Sequence, residues 1–372
     1  MASVKKKLSI AIAGTVLSAF CWGLEPAHSQ VSGGGEPQNI QVVLPNAPGR
    51  EAYYVENSLY TFLATGAQTN GQLSLFDFAI PPQAGPPVSI HTGEDEAFYV
   101  LDGNLTFTVG NQTVVGTPGT FVYFPVGVPR NFKNLGTTTA KMLSFYLPSG
   151  FENFFREVGG QPVTDTSAPI PPPLPLEQAV PIAIKYGLQV VDPSQVPEST
   201  TGKALLVLPD ADRPSFSADG GLYTSLAASE ETGGKLSLFD VFLPPQAGPQ
   251  LLQSNAQAAE SFYVVDGEVT FQIGDQTTVG KPGTFVYIPK GTSYAYQNLG
   301  MTPARTLSLR TATRVPEPSS WLSLLGFGAF VGANLVLKRK QKKQKSADLN
   351  TNTDTVCLMN NSHKKALVVL KL

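Results

Sequence analysis

Short segments in which apolar and polar residues alternate recur along most of the chain. Residues 105–109 (LTFTV) alternate with the period of a half-buried strand, and residues 102–104 (DGN) before them form a turn signal. Residues 121–124 (FVYF) read as a fully apolar strand that ends at Pro125, where proline is tolerated. Many short strands separated by turns predict an all-β sandwich or barrel.

Two segments depart from this pattern. Residues 151–159 (FENFFREVG) have helical spacing, and we expect this helix to pack outside the barrel. Residues 176–187 predict a second helix, which Pro181 weakens. The fold therefore includes a few short helices beside the strands.

The strand pattern occurs twice. Residues 73–103 (LSLFDFAIPPQAGPPVSIHTGEDEAFYVLDG) return at 236–267 as LSLFDVFLPPQAGPQLLQSNAQAAESFYVVDG, with one residue inserted at the variable centre. A repeat of this length indicates a duplicated domain. We therefore predict a first domain at 51–190 that includes the helical extension, a connector at 191–203 and a second domain at 204–313.

The N-terminus has the features of a secretory signal. Three lysines at 5–7 precede an apolar run at 8–20, and small residues end at Ser29. The run is short for a membrane span, so we expect cleavage after Ser29 to remove residues 1–29. A Gly/Pro/Gln-rich linker at 30–50 follows.

The C-terminus predicts a transmembrane helix. Residues 319–337 carry no charge and nearly match the length of a bilayer span, and six basic residues follow at 338–345. Basic flanks remain in the cytoplasm, so both β domains are expected on the outer face of the membrane.

This segment, residues 314–345, resembles the PEP-CTERM sorting signal of Gram-negative bacteria and cyanobacteria. The resemblance rests on Pro316, Glu317 and Pro318, the uncharged span and the basic cluster. It implies an exosortase-type enzyme as partner, and either a membrane anchor or sorting to the cell surface. The polar tail at 346–372, which such signals usually lack, has no assigned role.

Composition restricts the chemistry further. The net charge of −2 does not favour a nucleic-acid partner. Both cysteines, Cys21 and Cys357, lie outside the repeats, which excludes a disulfide within either domain. Of three histidines, only His91 lies in a repeat.

Both repeats resemble the cupin family, in the bicupin arrangement of quercetin-dioxygenase-like proteins. In the first repeat the resemblance rests on the residues of two motifs: Glu96, Phe98, Tyr99, Val100, Gly103, Gly119, Pro125, Gly127 and Asn134. It implies two tandem jelly-roll β-barrels, each with a metal site of three histidines and one glutamate. His91 and Glu96 match that set, whereas Ser89 and Arg130 stand where the other two histidines belong. In the second repeat Glu260 is kept, and the three histidine positions hold Gln253, Asn255 and Tyr294.

These substitutions leave too few metal donors. His91 and Glu96 supply two ligands where transition-metal sites use three or four, and the fixed cation of Arg130 repels a metal ion. We infer that Arg130 pairs with Glu96 in the first barrel, and that the four second-repeat residues form a polar cluster. The expectation is no cofactor, with a divalent Fe, Mn, Cu or Ni ion in the first barrel as the alternative.

Three functions remain open. The first is a surface or matrix protein without enzymatic activity, whose barrels bind a small ligand or glycan. The second, implied by the resemblance, is a metal-dependent dioxygenase acting on a phenolic or flavonoid-like compound through His91 and Glu96. The third is a metal-free isomerase with His91 as base, assisted by Arg130 or Tyr294; the different barrels of His91 and Tyr294 argue against sharing a cavity.

Overall fold

The structure, a computed structural model, describes residues 40–312 apart from 46, 48, 111, 193 and 195–203. The predicted signal peptide, sorting segment and tail lie outside these residues, as do most of the linker and the connector. Within the described part, no helix has the length and apolar character needed to cross a membrane. The predicted span at 319–337 lies outside the described residues.

The first repeat folds into a barrel of two antiparallel sheets. Its strands are β2 (Ala52–Val55), β3 (Ser58–Ala64), β4 (Ser74–Ile80), β5 (Ser89–His91), β6 (Asp95–Asp102), β7 (Leu105–Val109), β8 (Gln112–Gly116), β9 (Phe121–Phe124), β10 (Arg130–Lys133), β11 (Ala140–Leu147) and β12 (Leu188–Val190). One sheet has the order β12-β5-β10-β7-β8, and the other contains β9-β6-β11-β4-β3-β2. In β7, buried and half-buried residues alternate, which confirms the predicted period.

The second repeat repeats most of this arrangement, with three described strands rather than five in its smaller sheet. Its strands are β14 (Ser215–Ala218), β15 (Gly221–Ala227), β16 (Leu236–Leu243), β17 (Ala258–Asp266), β18 (Val269–Ile273), β19 (Gln276–Gly280), β20 (Phe285–Ile288), β21 (Tyr294–Gln297) and β22 (Ala304–Ala312). They form a sheet containing β20-β17-β22-β16-β15-β14 and a smaller one of order β19-β18-β21. The prediction of two jelly-roll barrels is confirmed.

The opening strand of each repeat joins the sheet of the other. β1 (Gln41–Val43) pairs with β20 of the second barrel, and β13 (Leu205–Val207) pairs with β9 of the first. Each of the two larger sheets thereby gains a seventh strand. Residues 41–43 were expected in a linker, because three residues carry too little periodicity to predict a strand.

Three hydrophobic clusters follow from this layering. One fills the first barrel, one fills the second, and the third lies between the barrels with residues of both repeats, such as Tyr99 and Tyr263. A salt bridge between Lys235 Nζ and the buried Asp95 Oδ2, at 2.5 Å, also joins the repeats. The two barrels are therefore joined by an apolar interface that is separate from the core of each barrel.

Two helices follow β11, as the sequence predicts. α1 (Glu152–Gly159) and α2 (Leu176–Lys185, with Pro181 inside) match the expected segments. The expectation that the first helix packs outside the barrel is wrong. Phe155 is only 3% exposed and belongs to the cluster inside the first barrel, where its ring stacks on Tyr60 at 4.6 Å and lies 5.0 Å from Phe76.

Candidate functional site

Four side chains of the first repeat converge inside its barrel. Glu96 lies near the start of β6, Arg130 begins β10, and Ser89 and His91 are the two ends of β5. Ser89 and Arg130 are direct partners across the two strands. All four are buried, at 2–5% exposure. Their burial is consistent with the expectation from the sequence that these side chains face the barrel interior.

Arg130 and Glu96 form the centre of this cluster. Arg130 Nε donates to Glu96 Oε2 at 2.6 Å, and Nη1 donates to the Val128 carbonyl at 3.1 Å. The guanidinium also lies 5.8 Å from the centroid of Phe124. Within the described part of the chain, Nη2 has no partner. The predicted ion pair is therefore present, and it neutralises a carboxylate that would otherwise be buried alone.

His91 contacts a residue that the sequence argument did not include. Its Nδ1 lies 2.5 Å from Glu94 Oε1, and its Nε2 lies 3.8 Å from Glu96 Oε2. Burial, with the charge of Arg130 adding to it, lowers the pKa of His91 well below 6.5, so the imidazole is neutral at pH 7. Burial raises the pKa of Glu94 to about 7. The ring of Phe151 covers the imidazole at 4.8 Å.

This donor set does not fit a transition-metal ion. At the four positions where the resemblance implies ligands, only His91 and Glu96 are donors, and the Glu96 oxygen nearest His91 is already bonded to the guanidinium of Arg130. The neighbouring carboxylate of Glu94 is engaged with the other ring nitrogen of His91. An arginine side chain stays protonated and cannot act as a ligand. Across the described residues, no group of three or more His, Cys, Asp or Glu side chains is arranged to hold a metal.

The second barrel holds the predicted polar cluster around Glu260. Tyr294 donates its hydroxyl proton to Glu260 Oε2 at 2.5 Å, and Asn255 Nδ2 donates to Oε1 at 3.0 Å. Gln253 joins through its backbone, which exchanges two hydrogen bonds of 2.8 Å with Tyr294. Burial, followed by the charge of Glu260, raises the pKa of Tyr294, so this hydroxyl remains a donor.

Besides Glu94, sequence reasoning missed two further members of these clusters. Arg310 Nε lies 2.9 Å from Glu260 Oε1, and Tyr146 is the direct cross-strand partner of Glu96. Burial and the neighbouring Glu96 raise the pKa of Tyr146 well above its usual value. Each buried glutamate therefore has one arginine and one tyrosine beside it.

The arginine and tyrosine exchange places between the repeats. Positions 130 and 294 correspond at an offset of 164 residues, and so do positions 146 and 310. The first barrel has arginine on β10 and tyrosine on β11, whereas the second has tyrosine on β21 and arginine on β22. Aligning the full repeats, rather than the motifs alone, is the signal that would have revealed Arg310.

Comparison with known proteins agrees with this architecture. Residues 76–146 and 239–310 each match the family described as Cupin domain. A quercetin 2,3-dioxygenase of Bacillus subtilis (strain 168) is 20% identical over 259 residues, covering 66% of this chain and 76% of the relative.

Two solved structures are among those to which the chain is similar. A putative glyoxylate-induced protein from Pseudomonas aeruginosa aligns with a TM-score of 0.51 at 12% identity, covering 78% of this chain and 95% of that one. The Bacillus subtilis oxalate decarboxylase, a protein with Mn(II) centers, aligns with a TM-score of 0.46 at 17% identity, covering 73% and 79%.

Proposed function

Because the chain carries two cupin domains, we propose that it is an exported, surface-sorted protein whose barrels work without a metal and associate with a small ligand or glycan. The observation that carries this proposal is the ion pair between Arg130 Nε and Glu96 Oε2. It supports a passive role for the barrel interior, because the carboxylate that a metal would require is already neutralised by a permanent cation.

The packing inside the first barrel supports the same conclusion. Phe151 and Phe155 of the α1 region are 4% and 3% exposed and lie against interior side chains, including His91 and Tyr146. A substrate of phenolic size would have to displace these rings to reach Glu96. Ligand binding is therefore better assigned to a surface outside the barrels.

We expect the purified full-length protein to contain less than about 0.1 equivalent of transition metal, because its donor set is too small. Expression with added manganese, iron, copper and nickel salts, followed by elemental mass spectrometry, measures this. The Ser89→His/Arg130→His variant is the positive control. It would place three imidazoles beside Glu96 and should bind about one ion per chain.

A wild-type protein that holds a metal near one ion per chain, and loses it in His91→Ala, would overturn the proposal. A double variant that folds, by circular dichroism, but binds no metal would contradict the assignment of positions 89 and 130.

Export and sorting rest on the two ends of the sequence. The signal at 1–29 and the segment at 314–345 support delivery by an exosortase-type enzyme and transient or lasting membrane contact through 319–337. We expect the mature protein from its native host to begin at residue 30. Intact-mass measurement of protein from the outer cell fractions tests this, and a mass corresponding to all 372 residues would contradict it.

The alternative function is a dioxygenase-like enzyme acting on a phenolic compound, which the 20% identical quercetin 2,3-dioxygenase favours. Oxygen consumption with a flavonol, in the presence of each candidate metal, separates the two functions. We expect the wild-type protein to consume oxygen no faster than the His91→Ala variant. Oxygen consumption that is lost in His91→Ala would favour the enzyme.

A further inference from the structure

A cleft of about 440 Å³ lies outside the barrel interiors, on the side of the second barrel that packs against the first. Gly119, in the turn before β9, forms one wall. The opposite wall is the sheet formed by β15, β16, β22 and β17. This volume lies within the range of pockets that hold small ligands.

The sheet wall presents apolar and charged side chains in one row. Leu222 on β15 is the cross-strand partner of Phe242 on β16, and Phe242 is the partner of Arg305 on β22. Asp266, at the end of β17, is the partner of Arg305 on its other side. Leu222 and Phe242 are each 43% exposed. A flat apolar area therefore adjoins a charged one.

An ion pair fixes the charged part. Arg305 Nε donates to both oxygens of Asp240, at 2.8 and 2.9 Å, and Nη2 donates to Oδ2. The two N–H groups of Nη1 make no hydrogen bond to the described residues. Asp240 also raises the pKa of Arg305, so the fork is a permanent donor.

A buried hydroxyl in the first repeat has an unmet hydrogen bond. Tyr99 is 1% exposed, and its hydroxyl has no partner in the described part of the chain. Burial raises the pKa of Tyr99, and the charges of Asp240 and Arg305 also act on it. A buried hydroxyl without a partner is uncommon in proteins. Tyr99 does not itself line the cleft, so the ligand site is argued from the lining side chains alone.

The charge balance of the cleft restricts the ligand. Two arginines, Arg213 and Arg305, and two aspartates, Asp240 and Asp266, line it. Arg213 is already held in a two-pronged pair with Glu231, at 2.8 Å for Nη1. Each guanidinium of the cleft therefore already has a carboxylate, and Asp266 is left over, so an anionic ligand would meet no unpaired arginine among these lining residues, whereas a neutral ligand with many hydroxyl groups can bond to both the arginines and the aspartates.

We propose that this cleft binds a neutral sugar unit. The apolar face of the ring packs on Phe242 and Leu222, and the ring hydroxyls hydrogen-bond to Arg305, Asp240 and Asp266. The inference rests on the proposed function only for the class of ligand. The position of the cleft does not depend on whether the barrels bind a metal.

The first repeat supplies an internal control, because it keeps the aspartate of this row but not the phenylalanine or the arginine. Asp77 corresponds to Asp240, Ala79 to Phe242 and Lys141 to Arg305. The Phe242→Ala/Arg305→Lys variant therefore installs at this cleft the residues that the other repeat carries. Both changes affect partly exposed side chains, so folding should survive.

The test titrates the full-length protein with neutral tetrasaccharides of glucose, mannose and N-acetylglucosamine, and with tetragalacturonate as a charged comparison. Binding is followed by saturation-transfer NMR and calorimetry. At least one neutral tetrasaccharide is expected to bind. The Phe242→Ala/Arg305→Lys variant should bind it about tenfold more weakly or worse, through lost stacking and forked hydrogen bonds. Neither Lys141 nor Met301 lines the cleft, and Lys141→Ala and Met301→Ala should bind it as the wild type does.

Three results would overturn the inference: no neutral tetrasaccharide binds, the double variant binds as tightly as the wild type, or tetragalacturonate binds best. Metal content measured on the same preparation separates the two proposals. A metal-free protein that binds no sugar removes the cleft assignment while leaving the metal-independent barrels in place.

Discussion

Replacing Arg130 with methionine is expected to lower the free energy of unfolding by about 3–5 kcal/mol, because it leaves the Glu96 carboxylate buried without its cation. Both side chains are almost fully buried, at 2% for Arg130 and 5% for Glu96, so water cannot compensate. Urea unfolding followed by circular dichroism measures the loss.

Two further variants make this prediction specific to the buried pair. Glu96→Gln/Arg130→Met removes both charges together and should recover most of the lost stability. Arg156→Met breaks an ion pair with Glu51 whose side chains are 36% and 32% exposed, and should cost less than about 1 kcal/mol. Equal losses for Arg130→Met and Arg156→Met would show that the burial of the Glu96 charge has been misjudged.

Phe155→Ala is expected to destabilise the first barrel by about 3–5 kcal/mol, through lost apolar burial and the cavity that remains. The ring contacts aromatic residues on three strands, at 4.6 Å from Tyr60, 5.0 Å from Phe76 and 6.1 Å from Tyr146. Thermal and urea unfolding report the change.

The neighbouring residue on the same helix is the matched control. Phe154 is only partly buried, so Phe154→Ala removes the same atoms with a smaller loss of packing. If the two variants lose equal stability, α1 does not seal the first barrel through Phe155.

The sequence reveals the barrels because their determinants are local and repeated. The alternation at 105–109, the turn at Gly103 and their copies in the second repeat each predict strands and turns without knowledge of tertiary structure. Gly103 has a φ of 72°, and a Cβ there would lie 2.9 Å from Ala140, which explains why glycine ends this strand in both copies.

The surface against which α1 packs could not be predicted in the same way. Phe151, Phe154, Phe155 and Val158 follow the spacing of one apolar helical face, which indicates that the helix buries something. That spacing does not say which surface receives the face. The aromatic side chains of β3 and β4 that receive Phe155 are defined only once the barrel has closed.

The site was predicted in part for a similar reason. The Arg130–Glu96 pair follows from a charge argument at motif positions, and the structure contains it. Tyr146 on β11 and Arg310 on β22 lie outside both motifs and meet the glutamates only through strand pairing. Glu94 was missed because its contact with His91 depends on the local bend between β5 and β6.

The crossing of β1 and β13 into each other's sheets has a historical implication. A single-repeat ancestor could have made both contacts only with a second molecule of itself, as an isologous dimer that lent each partner its first strand. Two repeats within one polypeptide can differ in sequence, which identical subunits cannot. The exchange of arginine and tyrosine between the two barrels is a difference of this kind.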